Sequence, residues 1–427
     1  MADQTLTFLK NPYGFISEEA KRRKTKVFET RLLLQKTVCM TGPEAAALFY
    51  RQDLFHRKGA TPSPIKKTLF GAGGLQGLDG IGHLRRKQML LTLLSDDRIT
   101  ELGLLVREIL RLQAVRWSLR SEISFYEELQ KVLTEAVCHW ANVPLSEEEI
   151  PQRTRELVAL YDRVAGRGLS ALSARLQRHR AQDWVKGVIN DVRGGRLIPE
   201  SDSPLATIAG FKDHRHTLLT PDIAAVELLN VLRPTVAVSV YMVFVAHALS
   251  AFPDQRPDPE DEASVLCFLQ EVRRFYPFFP VIAARTRKPF TWKHHSFSRG
   301  ERVLLDVYGT NHDRSAWDAP ETFHPDRFRS EVDPYAFIPQ GGGSLERGHR
   351  CPGEILTLEL MRQSLLFLTE DIEYTVPMQE FSLDFSRMPA LPEDHLRISV
   401  VKLPFLRSSE PGPASGYSDS FSPSAHQ

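Results

Sequence analysis

One cysteine, Cys351, ends a glycine-rich stretch of the chain and lies just before an apolar segment, Ile355–Leu368, that has the composition of a helix. The stretch reads FIPQGGGSLERGHRCPGE. Pro352 suits the first turn of a helix, where a missing N–H costs little. Cys351 is therefore predicted at a helix N-terminus beside His349 and Arg350, where the dipole and positive charge favour a thiolate. Such a thiolate can serve as a nucleophile, a redox thiol or an axial haem ligand.

The alternative for this stretch is a glycine loop with a buried, inert cysteine. The whole segment, however, resembles the haem-thiolate loop of the cytochrome P-450 superfamily. In that loop a phenylalanine, a basic residue two before the cysteine and a glycine two after it recur, here Phe337, His349 and Gly353. The loop is longer than the common form and histidine replaces the usual arginine. Both departures resemble the peroxygenase branch, whose members hydroxylate fatty acids with hydrogen peroxide. The resemblance implies one b-type haem bound through Cys351, with His349 and Arg350 beside it.

A long apolar helix is predicted in the middle of the chain. Thr220 and Pro221 are typical of an N-cap and a first helical position, and the helical pattern continues to about Ser250. Charged residues interrupt the apolar run, so a membrane span is not predicted. We expect a buried central helix with a kink at Pro234, which has no amide hydrogen to donate to the carbonyl of Asn230.

Arg233 lies within this predicted helix, next to Pro234. A buried guanidinium needs an anionic partner, and its planar fork suits a carboxylate. The alternative is an arginine that extends to solvent from the helix edge. Conventional P-450s carry an acid and an alcohol here to deliver protons to dioxygen, and residues 230–237 contain no such pair. In the peroxygenase branch an Arg-Pro pair binds the fatty-acid carboxylate, which implies that role for Arg233 and Pro234.

The glycine-rich residues 69–80 precede a predicted helix. The spacing of their glycines matches neither the Walker A motif nor the dinucleotide-binding fingerprint. They resemble the substrate loop of the peroxygenase branch, in which a phenylalanine and a residue six positions later face the haem. Those positions are Phe70 and Gln76 here. Glutamine at the second position accompanies hydroxylation in that branch, whereas histidine accompanies decarboxylation. A surface loop with one buried aromatic residue is the alternative.

Two further pairs are candidates for the same site. His83 and Lys87 stand four apart on a predicted helix, so they can share a face and meet the haem propionates, although a solvent-facing position is equally compatible with the pattern. Phe278 and Phe279 follow the helix 262–275 where P-450 pockets are lined. A place in the hydrophobic core is the first expectation for both residues, and a place in the substrate pocket is the second. One of them is expected near the acyl chain.

An E-x-x-R motif and a later P-x-R-F motif add to the resemblance. Glu271 and Arg274 are three apart on one helix face and can form an ion pair. In the P-450 family the arginine of the second motif joins such a pair, and that residue is Arg327 here. The resemblance implies a structural clamp beneath the haem made of these three side chains.

The composition is that of an ordinary globular protein. Its 427 residues are 42% hydrophobic and 25% charged, with a formal net charge of +1 that gives no reason to expect nucleic acid binding. The four cysteines have no paired spacing, which is typical of a reducing compartment. The N-terminal residues lack the apolar core of a signal peptide. We expect a cytoplasmic protein without a membrane anchor.

Apolar spacing predicts a mainly α-helical protein with a smaller β-rich region, in agreement with the P-450 fold. Helices are predicted at residues 43–50, 82–94, 220–250, 262–275 and 355–368, and within 96–143 and 152–192. Strands are predicted at residues 27–32, 35–40, 281–286, 290–292 and 302–308. Residues 1–406 are expected to form one haem-thiolate domain, and residues 407–427 are predicted to be disordered.

The resemblance implies an enzyme that hydroxylates long-chain fatty acids at the α or β carbon with hydrogen peroxide and no redox partner. The substrate carboxylate, held by Arg233, would act as the general acid–base group. Three alternatives remain: decarboxylation of fatty acids to terminal alkenes, a conventional monooxygenase with a redox partner, and a haem sensor. The missing acid–alcohol pair argues against a monooxygenase, and a buried arginine has no obvious use in a sensor.

Overall fold

α-Helices form the larger part of the protein, whose computed structural model describes residues 2–62, 66–162 and 169–406. The helices are α1 Thr5–Lys10, α2 Phe15–Arg23, α3 Pro43–Phe49, α4 Gly80–Leu93, α5 Asp96–Trp117, α6 Phe125–Trp140, α7 Ile150–Val158, α8 Leu169–Arg193, α9 Pro204–Gly210, α10 Pro221–Ala237, α11 Ser239–Ala251, α12 Glu262–Phe275, α13 Val307–Asn311 and α14 Glu354–Leu366. The apolar faces of α5, α6 and α12 are buried in one large core.

The strands form a smaller β region. They are β1 Val27–Leu32, β2 Gln35–Met40, β3 Phe55–His56, β4 Ile123–Ser124, β5 Val281–Thr286, β6 Phe290–Trp292, β7 His295–Phe297, β8 Arg302–Asp306, β9 Glu373–Thr375 and β10 Arg397–Lys402. A five-stranded sheet has the order β1-β2-β8-β5-β3, in which only the β2–β8 pair is parallel. A three-stranded sheet β4-β10-β9 and the hairpin β6-β7 complete the region. The prediction of a mainly α fold with a smaller β region is confirmed.

Strand β8 ends earlier than the sequence predicted. The strand was predicted to continue to Tyr308, but it ends at Asp306 and helix α13 follows directly. The Asp306 carboxylate accepts a hydrogen bond from the amide of Gly309 at 2.8 Å. This is the arrangement of a helix N-cap, and it changes the chain from strand to helix.

The central helix runs as α10 and α11 through the interior. The Thr220 side chain accepts a hydrogen bond from the amide of Ile223, as predicted for an N-cap. The run Pro221–Ala251 is long and apolar enough to cross a membrane, but 89% of its most apolar window is buried inside the protein, as in a core helix. Pro234 lies within α10, and the interruption falls one turn later at Val238, whose amide donates to the carbonyl of Thr235.

Helix α10 lies between α6 and α8, and α14 packs against α5 and α11. Helix α14 begins at Glu354 with Gly353 as N-cap, so the prediction that Pro352 occupies its first turn is wrong. Cys351 therefore lies three residues before the helix. The predicted tail, residues 407–427, lies outside the described residues.

Candidate functional site

Backbone contacts hold Cys351 at the end of the glycine loop. Its amide donates to the carbonyl of Gln340 at 3.1 Å, and the side-chain amide of Gln340 lies 3.9 Å from Sγ. The loop packs closely on Tyr50, because a Cβ added to Gly342 would lie 2.8 Å from the Tyr50 ring. A side chain at this glycine would push the loop off the ring. The loop thus presents a half-buried thiol on a fixed backbone.

The surroundings of Cys351 oppose the predicted thiolate unless a metal is bound. Burial raises the pKa of the Cys351 thiol, and the nearby carboxylate of Glu354 raises that pKa further. A hydrogen bond from the amide of Gly353, together with Lys87 and Arg273, acts in the opposite direction but is outweighed. Because coordination to a metal removes the proton of a thiol, a metal ion would have to displace it here.

Three of the predicted cofactor-binding residues meet beside the cysteine loop. The rings of His83 and His349 have centroids 4.0 Å apart, and Nε2 of His349 lies 3.5 Å from a carboxylate oxygen of Asp79. Lys87 donates to the carbonyls of Gly348 and Arg350. Burial lowers the pKa of His83 to about 3 and that of Lys87 to about 8. Burial thus disfavours the charged forms of these bases, and an anion bound beside them would favour those forms again.

Arg350 is placed differently from these three residues. Its Nε donates to the carboxylate of Glu354 at 2.6 Å, and Glu354 also binds Arg273. Its guanidinium therefore already has a partner within the protein. The expectation that Arg350 binds a cofactor rests on the resemblance alone.

Arg57 was not predicted from the sequence, yet it lies in the same region. Its guanidinium lies 4.5 Å above the ring of Phe49 and donates to the carbonyl of Ala283 at 2.7 Å. Burial lowers the pKa of Arg57. No local motif surrounds Arg57 in the sequence, so only the folded chain shows that it is a half-buried cation.

Arg233 is buried on the other side of the site, with 4% of its surface exposed. Its Nη1 is buried without a hydrogen-bond partner in the described part of the chain, and Nη2 donates to the side-chain oxygen of Asn230 at 3.3 Å. The guanidinium lies 5.9 Å from the centroid of the Phe70 ring. Burial lowers the pKa of Arg233 to about 9. The structure thus brings Phe70 and Arg233 together, as expected.

A chain of buried hydrogen bonds leads to Arg233 along α10. Arg86 pairs with one oxygen of Glu227 at 2.6 Å, and the other oxygen of Glu227 accepts from Asn230 at 3.0 Å. Asn230 in turn accepts from Arg233. These hydrogen bonds were not predicted from the sequence. Glu227 and Asn230 can be assigned to the same face of α10 only when the position of the helix in the fold is known. It fixes one edge of the guanidinium and leaves the other open.

Gln76 and the two phenylalanines occupy separate places around Arg233. Gln76 lies in a short turn, Leu75–Gly77, and its side-chain oxygen is buried without a hydrogen-bond partner among the described residues. Phe278 stacks on Tyr241 of α11 with centroids 4.6 Å apart and meets Phe279 edge to face. Tyr241 is about two turns beyond Arg233 on the central helix. The two phenylalanines therefore lie about two turns past Arg233 along the central helix.

The side chains of Glu271, Arg274 and Arg327 are in contact. Arg274 donates to both oxygens of Glu271, at 2.7 and 2.8 Å, and Arg327 donates to the same carboxylate at 3.2 Å. Arg274 also donates to the carbonyls of Asn311 and Pro320. Both members of the central pair are fully buried. These bonds fasten α12 to the long connection that precedes the cysteine loop.

Comparison with known proteins relates this architecture to one family. The model of the family Cytochrome P-450 matches residues 266–379. Curated relatives include cytochrome P-450 84A4 of Arabidopsis thaliana, 28% identical over 26% of this chain, and cytochrome P-450 4A7 of Oryctolagus cuniculus, 34% identical over 32% of this chain. These alignments span only 22% and 26% of the relatives' own lengths.

Solved structures match over nearly the whole chain. Cytochrome P450SP alpha (CYP152B1), in complex with (R)-ibuprofen, is 43% identical over 95% of this chain and 100% of its own, with a TM-score of 0.92. Cytochrome P450EX alpha (CYP152N1), with myristic acid, is 41% identical over 93% of this chain and 97% of its own, with a TM-score of 0.90. An OleT variant in complex with arachidonic acid is 30% identical over 94% of this chain and 97% of its own, with a TM-score of 0.90.

The chain is thus a member of the cytochrome P-450 family, a haem-thiolate oxidoreductase. Within that family it belongs to the CYP152 branch of fatty-acid peroxygenases.

The residues present fit the haem that this family implies. Cys351 is the half-buried thiol among the four free cysteines, and the other three are fully buried. Arg57, His83 and Lys87 form no ion pair in the described part of the chain, although burial disfavours their charged forms. A haem supplies an iron for the thiol and two propionates for such cations. Cys351, His83, Lys87 and His349, with Arg57, would therefore hold it.

Proposed function

We propose that the protein uses hydrogen peroxide to hydroxylate long-chain fatty acids at the α or β carbon, with the substrate carboxylate bound to Arg233. The observation that carries this proposal is the open guanidinium edge of Arg233, whose Nη1 is buried and has no partner within the described chain. A buried charge without a partner is costly, so it favours an anionic ligand. A carboxylate matches the planar fork in charge and in shape.

The ligands of the solved relatives support an acid as substrate. Myristic acid, arachidonic acid and ibuprofen, found in P450EX alpha, the OleT variant and P450SP alpha, are all carboxylic acids with an apolar body. In this chain the polar end of such a molecule would meet Arg233. Its apolar part would extend among half-buried aromatic side chains, of which Phe70 is the nearest one described.

When bound through Cys351, the haem supplies the oxidising chemistry, because a thiolate ligand favours O–O cleavage. Arg233 holds the substrate carboxylate and orients the α and β carbons. Held there, the carboxylate would be able to accept a proton from the peroxide and give one to the departing oxygen, which would be general acid–base catalysis by the substrate. Pro234 has no amide hydrogen, so it cannot donate to the carbonyl of Asn230 in the same turn.

Two features of α10 disfavour a conventional monooxygenase. Residues 230–237 offer no carboxylate beside an alcohol. The hydroxyl of Thr235 donates to the carbonyl of Val231 at 2.9 Å, so it is occupied within its own helix. The acid–base group must therefore come from elsewhere, and the bound substrate can provide it.

The test is replacement of Arg233 by alanine in the haem-loaded protein. Loss of one partner of a buried ion pair costs about 3–5 kcal/mol, which weakens fatty-acid binding by roughly two to three orders of magnitude. We expect Arg233→Ala to bind haem normally but to lose peroxide-driven hydroxylation, measured by chromatography of the products without NAD(P)H or a redox partner.

A matched control is Arg314→Ala, because the side chain of Arg314 is 77% exposed. This variant should keep wild-type activity. Near-wild-type hydroxylation by Arg233→Ala would contradict the proposal and favour a mechanism that depends on a redox partner.

A further inference from the structure

A second buried arginine, Arg178, lies close to Arg233. It belongs to α8, and only 4% of its surface is exposed. All three of its guanidinium nitrogens are buried without a hydrogen-bond partner among residues 2–62, 66–162 and 169–406. Burial lowers the pKa of Arg178 to about 10. A guanidinium with no partner on any nitrogen is more exceptional than Arg233, which retains one hydrogen bond to Asn230.

The acidic groups of the neighbouring helix α10 are already occupied. Both oxygens of Glu227 are engaged, one by Arg86 and the other by Asn230. Asp222, at the start of α10, pairs with Lys186 at 2.7 Å. The protein therefore provides no free carboxylate for Arg178 on the helix against which α8 packs.

Arg178 reaches the same space as the predicted substrate loop. A Cβ added to Gly71 would lie 2.2 Å from Nη2 of Arg178 and 2.9 Å from Val226 of α10. Gly71 follows Phe70, whose ring lies next to Arg233. Val226 is seven residues before Arg233 on the helix, a rise of about 10 Å. Arg178 thus reaches α10 near Val226, about two turns before Arg233, and both guanidinium groups adjoin the segment Phe70–Gly71.

The two charges also affect each other. After burial, the positive charge of Arg178 is the next cause that lowers the pKa of Arg233. One bound carboxylate can neutralise only one of them. The space beside Phe70 and Gly71 therefore suits a ligand with two separated negative charges.

We propose that Arg178 is a second anion-binding residue of the substrate cavity, and that the cavity accepts α,ω-dicarboxylic acids with one carboxylate on Arg233 and the other on Arg178. This inference rests on the proposed function only for the role of Arg233. It makes Arg178 a specificity residue, because it selects for charge at the end of the acyl chain that does not react.

The test compares decanedioic acid with its monomethyl ester, which has nearly the same length and one charge fewer. Dissociation constants are measured by calorimetry on the haem-loaded protein. We expect the wild type to bind the diacid at least roughly tenfold more tightly than the ester, equivalent to about 1.4 kcal/mol. Arg178→Leu should reduce this preference to near parity without weakening the ester, and Arg178→Lys should keep part of it.

Arg180→Leu is the matched control, because Arg180 is exposed on the same helix and should leave the preference unchanged. Equal binding of diacid and ester by the wild type, or an unchanged preference in Arg178→Leu, would overturn the inference. If Arg178→Leu fails to fold, Arg178→Gln removes the same charge with a polar side chain and decides the question. Near-wild-type hydroxylation of decanoic acid by Arg233→Ala would instead refute the proposed function, so the two failures are distinguishable.

Discussion

At the scale of single residues, the partners of a buried arginine distinguish structural from ligand-binding roles. Arg274 donates to both oxygens of Glu271 and to backbone carbonyls, so its charge is satisfied within the fold. Within the described part of the chain, Arg233 has one hydrogen bond, to the Asn230 side chain, and Arg178 has none. All three are almost fully buried. The first stabilises the native chain, whereas the other two need a ligand to offset the cost of burial.

The sequence located some of these residues and not others. Cys351 and Arg233 stand in motifs whose residue types and order point to their chemistry. The prediction of a thiolate at Cys351 used the helix dipole and neighbouring charges, whereas burial, which the sequence does not show, raises the pKa of this thiol. Arg178 escaped notice because it lies among other basic residues, and nothing in that pattern shows which one faces the interior.

The residue at position 76, Gln76, leads to a prediction about the ratio of hydroxy acids to alkenes among the products. Its amide oxygen is buried without a partner in the described chain, and a glutamine cannot exchange a proton near neutral pH as histidine does. We expect hydroxy acids to dominate over terminal alkenes when the wild type turns over fatty acids with peroxide. Gas chromatography of the products measures the ratio.

The variant Gln76→His provides the comparison, and its alkene fraction should rise. A wild-type product mixture made mainly of alkene would contradict this assignment. An alkene fraction that does not change in Gln76→His would do the same.

At the scale of elements, the sequence predicted most helices and strands, because their apolar periodicity reflects which face is buried. The strands at 27–32 and 35–40 have the predicted bounds. The errors occur at the ends of elements. Asp306 is the N-cap of α13, so β8 ends there. Helix α14 begins at Glu354, after Cys351, Pro352 and Gly353. The apolar periodicity that predicts an element does not show at which residue the element begins or ends.

Asp306 leads to a prediction about stability and pH. Besides the amide of Gly309, its buried carboxylate accepts hydrogen bonds from the hydroxyls of Ser17 and Thr41. Burial nevertheless raises the pKa of Asp306 from 3.8 to about 6. The folded protein then binds this proton more tightly than the unfolded chain. The stabilising contribution of the protonated form is fully present below about pH 4 and is lost as the pH rises through 6, a change of roughly 3 kcal/mol.

The variant Asp306→Asn isolates this contribution. Asparagine stays neutral at every pH used, and all other acidic residues are the same in the two proteins. Urea unfolding between pH 4 and pH 7 measures the free energy of unfolding of both proteins. We expect the wild type to lose stability relative to Asp306→Asn as the pH rises. A difference that stays constant over this range would show that the carboxyl titrates at its ordinary pKa.

At the scale of the whole molecule, the site lies where the helical core and the β region meet. The cysteine loop leads into α14, which packs on the central helix, while Arg57 follows a strand of the five-stranded sheet. Helix α8 and the turn Lys66–Phe70 approach α10 from the other side. Buried and half-buried cations that have no acidic partner among the described residues therefore collect at the junction of several elements. A ligand that neutralises them would join these elements together.

The final prediction follows from this junction. A ligand that binds only the folded protein raises its free energy of unfolding by about 2.7 kcal/mol when present at a hundred times its dissociation constant. Decanoic acid should stabilise the haem-loaded wild type by this amount, observed as a rise in the midpoint of thermal unfolding. Decan-1-ol has the same chain without the carboxylate, so at equal concentration it should stabilise the protein much less. In Arg233→Ala the acid should lose its advantage over the alcohol, because the guanidinium that distinguishes them is gone. Equal stabilisation of the wild type by acid and alcohol would mean that the apolar chain alone drives binding, and that the charge at this junction is satisfied by some other group.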